Sequence, residues 1–255
     1  MKFTAVTLFP ELIQGFVQHG LLGQAQAKGL AEVRTLNPRR FTTDPHQTVD
    51  DRSFGGGDGM VMKYEPLAKA VEALRADGPC QVVVMSPQGE RWSQAHARAW
   101  AQVTDNHYVL ICGRYAGIDQ RLTARHADFE ISLGDFVLNG GEIAACAMIE
   151  SVVRLIPGAL GNEASAQNDS FERGLLECPQ FTRPREVDGM AVPDMLLSGN
   201  HALIKEFESA VSMVRTKKLR PDLVPGIDLQ KSYALLRRLS DKELELLGLS
   251  RGDLP

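Results

Sequence analysis

Three short segments of this chain combine small and polar residues in a way that suits close contact with a bound molecule. They are Ser86-Pro87-Gln88-Gly89, Cys112-Gly113-Arg114-Tyr115-Ala116-Gly117 and Gly134-Asp135-Phe136-Val137-Leu138-Asn139-Gly140-Gly141. Glycine lets backbone N–H and C=O groups approach a ligand closely. An adenine can be read by such groups and sandwiched between apolar walls such as Ile131, Leu133 and Leu138. Each segment taken alone could simply punctuate the end of a strand. Two common nucleotide motifs are missing: no G-x-G-x-x-G follows a strand, and there is no G-x-x-x-x-G-K-[ST]. Gly55-Gly56-Gly57-Asp58-Gly59 resembles a phosphate cradle but lacks the Lys-Ser/Thr that would complete one, so it reads as a lid or substrate loop.

The elements around these segments explain why they belong together. Apolar runs predict strands over 81–85, 107–112 and 128–133, each ending in one of the three segments. Helices are expected over 93–102, where Ser93 is the cap, over 118–126, and over 142–155, ended by Pro157-Gly158. Strands alternating with helices imply an α/β fold with a mainly parallel sheet covered on both faces. In such a sheet the three loops share one edge, where ligands of open α/β sheets bind. Upstream, a strand over 2–9 stops at Pro10, helical sequence follows over 11–28 with a break near Gly20, and a second strand covers 30–36. Residues 42–59 lack a period and read as a long loop, and Pro66 opens a short helix to Arg75.

Downstream, residues 161–174 are polar and read as an interdomain linker that orders on ligand binding. Helical segments are expected over 201–215, 228–239 and 241–247, the last opened by Ser240-Asp241-x-Glu243 and ended by Gly248. The expected organisation is a cofactor-binding domain over 1–160, the linker, and a small helical domain over 175–255.

Charge and composition narrow the class. The 255 residues are 44% hydrophobic and 24% charged, ordinary for a globular protein. The N-terminus has no signal-peptide pattern, and no stretch approaches the ~20 apolar residues that span a bilayer. A cytoplasmic protein with no membrane partner is expected. Cys80, Cys112, Cys146 and Cys178 form no C-x-x-C pair, which fits reduced thiols rather than zinc or disulfides. The net charge of −4 argues against nucleic acid, but residues 215–238 hold seven Lys and Arg against two Asp, a local balance of +5. A solvated helical face would also explain that run.

A wider set of segments carries a resemblance. In order they are 41–46 with Val49-Asp50-Asp51, 55–62, 86–89, 112–115 with Gly117-Ile118-Asp119, 134–138 with Gly140-Gly141-Glu142, Arg154-Leu155-Ile156-Pro157-Gly158, Asn168-Asp169-Ser170-Phe171, Thr182-Arg183-Pro184 and 196–201. With these the chain resembles, over nearly its whole length, the bacterial tRNA (guanine-N1)-methyltransferases of the knotted SPOUT class. The resemblance implies a SPOUT fold in which the three loops form a trefoil knot, a threading rare among folds. It implies a homodimer whose active sites use both chains. It implies S-adenosyl-L-methionine as methyl donor and, as substrate, guanosine-37 of a tRNA in which another guanosine precedes it.

Guanine N1 carries a proton and is a poor nucleophile until the proton leaves. Methylation there needs a base, stabilisation of charge spreading onto O6, and an electrophilic methyl group held in line. By correspondence with the family, Asp169 is the base and Arg154 the group that stabilises O6. On residue type alone, Asp169 would be a linker cap and Arg154 a last-turn complement to a helix dipole. The correspondence places Met85, Ser86, Pro87, Gly89, Gly113, Tyr115, Ile131, Ser132, Gly134, Phe136, Leu138, Gly140 and Gly141 on the cofactor. It places Asp50, Gly59, Ser165, Arg183, Lys217 and Lys218 on tRNA.

Two departures stand out. After Gly-Arg-Tyr the family usually carries a glutamate linked to its Mg²⁺ dependence; here it is Ala116, which leaves the metal requirement open. Gln180 stands where many members have His. The competing readings are a SPOUT methyltransferase for a different RNA base or position, and a non-catalytic RNA-binding protein. Methyl transfer to a tRNA transcript separates them. A nucleotide-dependent oxidoreductase is disfavoured by its missing glycine fingerprint.

Overall fold

The computed structural model describes residues 1–161 and 168–255. The chain divides into two compact units, Met1–Glu163 and Ala164–Pro255.

The first unit is mixed α/β around a five-stranded sheet ordered β2-β1-β6-β5-β7. Its strands are β1 (Lys2–Val6), β2 (Glu32–Leu36), β5 (Gln81–Arg91), β6 (His107–Ile111) and β7 (Phe129–Ser132). Every pairing is parallel. The helices are α1 (Pro10–Val17), α2 (Gly20–Ala27), α3 (Tyr64–Ala76), α4 (Gln94–Ala101), α5 (Gln120–His126) and α6 (Glu142–Val153).

Alternation along the strands sends side chains to two cores. Phe3, Val83, Tyr108 and Leu110 join residues of α1, α2, α4 and α6 in one. Val82, Val84, Val109 and Ile111 pack with α3 and Leu122 of α5 in the other. A sheet buried on both faces is what parallel strands require. Trp100 of α4 stacks on Tyr108 with ring centroids 3.9 Å apart, tying helix to sheet.

Two sequence expectations need correction. The stretch over 42–59 is not all loop, because β3 (Asp50–Arg52) pairs antiparallel with β4 (Met60–Met62). Each strand has only three residues, too few for a period to show. Residues 86–90 are not a simple exit loop either. Strand β5 continues to Arg91, with a register shift between Met85 and Glu90 that brings both opposite Ile131.

In the second unit, Asn200 caps α7 (His201–Leu219) by accepting from the N–H groups of Ala202 and Leu203. Helices α8 (Gln230–Leu236) and α9 (Asp241–Leu246) follow, the latter opened by a reciprocal Ser240–Glu243 capping box. A small hairpin, β8 (Glu186–Val187) with β9 (Met190–Ala191), precedes them. Phe207, Val211, Val214, Leu236, Leu244 and Leu247 form the core. Among the described residues no helix is long and apolar enough to cross a membrane.

Candidate active site

The three glycine-bearing loops meet at one sheet edge because β6, β5 and β7 are neighbours. Main-chain bonds hold them together. Gly141 N–H donates to Gly113 C=O at 3.0 Å, and Arg114 bridges Gly140 antiparallel. Ser132 Oγ accepts from Gly134 N–H at 3.1 Å, which folds the third loop back on its strand.

One cavity lies between the loops. Its lining includes Met85, Ser86, Pro87, Gly113, Tyr115, Ile131, Ser132, Gly134, Phe136, Leu138, Gly140 and Gly141, all of which the family correspondence assigns to the cofactor. Gly89 is the one residue of that set outside the lining. It has another reason to be glycine: a Cβ there would collide with the main chain of Glu130 and Ile131. It lies in the stretch between Met85 and Glu90 where the pairing with β7 shifts register. Gly141 is constrained similarly, since a Cβ would sit 2.8 Å from Cys112 Cα and 2.9 Å from Met85 Cβ. Tyr115 adopts φ 61°, a left-handed conformation costly for a non-glycine residue and common at functional sites.

The cavity also collects Arg114 and Ile118, given no role of their own in the sequence, and residues that the sequence reading missed, Gln120, Thr123 and Glu130. Gln120, Thr123 and Glu130 lie in α5 and β7, outside the glycine loops, so loop composition gave no sign of them. Its walls suit an adenosyl group: Phe136, Leu138 and Tyr115 stay substantially exposed, and five glycines bring the main chain to the cavity with no side chain in between.

Beneath the third loop sits a buried ion pair. Glu142, only 1% exposed, opens α6, where a carboxylate complements the helix dipole. Its Oε1 accepts from Thr7 Oγ1 at 2.7 Å and from Arg114 Nε at 3.2 Å. Its Oε2 lies 2.9 Å from Arg114 Nη2. That second contact is ionic proximity without hydrogen-bond alignment. The Arg114 guanidinium also covers the ring of Phe9, 4.5 Å from its centroid. The chain ends of β1 and β6 and the start of α6 are thereby joined.

The remaining predicted residues are spread across both units. Arg154 is the half-buried C-cap of α6 in the first unit, and Asp169 is half-buried in the second. Asp50 is half-buried at the start of β3, and Gly59 is exposed at the foot of β4. Arg183 and Lys217 are exposed. Lys218 is engaged internally, with Nζ 2.8 Å from Asp253 and 3.1 Å from Gly248 C=O. Arg220 pairs with Asp222, and Arg215 bonds Leu247 C=O. Much of the basic run thus holds the unit together. Ser165 lies outside the described residues. Among those described, no group of three or more His, Cys, Asp or Glu could hold a metal.

An open parallel sheet with a glycine-lined cavity at its edge defines a small-molecule-binding α/β protein. Comparison with known proteins makes it particular. A family model, tRNA (guanine-1)-methyltransferase TrmD, matches residues 1–226. The chain is 47% identical over 237 residues to a tRNA (guanine-N(1)-)-methyltransferase of Geobacillus kaustophilus, covering 91% of this chain and 96% of the relative. Proteins of the same name match from Marinomonas sp. (44% over 246 residues, 96% and 98% covered) and Ralstonia nicotianae (48% over 227, 88% and 86%). The chain belongs to the tRNA (guanine-1)-methyltransferase family.

Proposed function

We propose that this enzyme transfers the methyl group of S-adenosyl-L-methionine to N1 of guanosine-37 in tRNA, forming 1-methylguanosine beside the anticodon. The observation that carries the reading is one of coincidence. Twelve residues that the family correspondence assigns to the cofactor line a single cavity at the sheet edge. The cofactor supplies an electrophilic methyl group when bound. The main chain of the three loops and the walls from Tyr115, Phe136 and Leu138 hold and orient it.

Asp169 takes the N1 proton, and Arg154 offers its guanidinium to the negative charge on O6. Asp50, Gly59, Ser165, Arg183, Lys217 and Lys218 contact tRNA, and the helical unit grips its phosphates. The loops form a trefoil knot, and the active sites are completed in a homodimer. A guanosine at position 36 precedes the target, and the enzyme works in the cytoplasm. Ala116 stands where the family usually carries a glutamate linked to Mg²⁺ dependence, so the metal requirement is part of the test below.

Methylation of an unmodified tRNA transcript, with the product base mapped and Mg²⁺ supplied or chelated, tests this. The expected product is 1-methylguanosine at position 37. A methyl group on another base, or none, would overturn the reading.

A further inference from the structure

The tip of the β3–β4 hairpin carries the most exposed large apolar side chain described, Phe54, whose exposure is 100%. Its surroundings are not those of a protein interface. Ser53, Gly55, Gly56, Gly57 and Asp58 flank it in the chain, so no apolar residue of the loop extends the ring into a patch. A protein partner normally buries a contiguous patch with an apolar centre. A lone exposed ring suits a flat partner that covers one face.

The hairpin is also fixed to the cavity wall. Ala116 N–H donates to Met60 C=O at 2.8 Å, Met62 N–H to Gly117 C=O at 2.9 Å, and Asp119 N–H to Met62 C=O at 3.0 Å. Both Ala116 and Gly117 line the cavity. Charge narrows the partner further. The hairpin holds Asp50, Asp51 and Asp58 against Arg52 alone. Carboxylates repel phosphate but accept from the N–H donors on a base edge. An acidic hairpin with an aromatic tip is therefore built to touch bases rather than backbone. Unpaired RNA bases are recognised by stacking on aromatic rings together with hydrogen bonds to their edges.

We infer that Phe54 is a stacking platform for an unpaired base of the tRNA anticodon loop, and so a substrate-positioning residue of the enzyme. The inference rests on tRNA being the substrate, as proposed above.

The test is binding of a fluorescein-labelled anticodon stem-loop RNA, followed by anisotropy, with wild-type protein, Phe54→Ala, Phe54→Leu and Phe54→Trp. Loss of one stacked base corresponds to roughly 5- to 150-fold weaker binding. The expected result is that loss in Phe54→Ala and Phe54→Leu, near wild-type affinity in Phe54→Trp, and unchanged melting and cofactor affinity in all three. Equal RNA affinity in Phe54→Ala overturns the proposal. So does a change of oligomeric state by sedimentation, which would assign Phe54 to a second copy of the chain. Methyl transfer by the wild-type protein reads the proposed function separately, because the binding comparison does not depend on turnover.

Discussion

Arg114 Nη2 lies 2.9 Å from Glu142 Oε2, and this ion pair links the loop after β6 to the first turn of α6 below the cavity. Removing one partner of a buried pair leaves the other charge uncompensated, at a cost of about 3–5 kcal/mol. Glu142→Ala is expected to lose stability in that range, measured by urea unfolding. Cofactor affinity should fall with it, because Gly140 and Gly141 immediately precede the carboxylate. Thr7→Val removes one hydrogen bond to the same carboxylate and should cost about 1–3 kcal/mol.

Gly140 depends on the same pair. A Cβ there would collide with the Arg114 guanidinium and the Glu142 carboxylate. Gly140→Val is expected to abolish measurable cofactor binding by calorimetry, by displacing the ion pair and with it the loop. Normal affinity in this variant would show that the loop does not need the pair.

Asp169→Ala separates binding from chemistry. Loss of a general base lowers turnover by roughly 10²–10⁴-fold. Cofactor affinity is expected to stay at the wild-type level while methyl transfer to tRNA falls by that factor. Unchanged turnover would remove Asp169 from the role of base.

His126 gives the first unit a pH dependence. Burial, and then the neighbouring positive charge of Arg75, lower its pKa below the usual 6.5. His107 is shifted the same way by burial and Lys2. Both rings therefore resist protonation in the fold, while the unfolded chain protonates near 6.5. Stability should be fully present above that pH and should fall as pH drops below it towards the folded-state values. Unfolding free energies measured between pH 7.5 and 5.5 should decline, and less so in His126→Gln.

Lys217 and Lys218 should behave differently. Lys217→Ala is expected to weaken tRNA binding and lower the salt slope by about one, without changing the melting temperature. Lys218→Ala should also lower stability slightly, because it breaks the contacts to Asp253 and Gly248. Identical melting of the two variants would contradict this.

How much of this could be read in advance depended on range. The apolar runs that became β5, β6 and β7 carry their own signal, as does the Ser240–Glu243 cap. Hairpin β3–β4 was hidden because its strands are short and lie among glycines and aspartates. The Thr7–Glu142–Arg114 network was hidden for another reason. Its members are 135 and 28 residues apart, and no local pattern links them. Asp169 and Arg154 carry no chemical signature of their own, and only resemblance to a family singled them out. Gly89 is different again, because the geometry gives it a packing reason to be glycine beside the role that resemblance implies.

The cavity is walled to an unusual degree by residues without side chains: Gly113, Gly117, Gly134, Gly140 and Gly141. A codon change can delete a side chain but not a peptide group. An inhibitor that packs against those main-chain walls would therefore leave few routes to resistance. Escape would have to run through the walls that do carry side chains, such as Tyr115, Phe136 and Leu138.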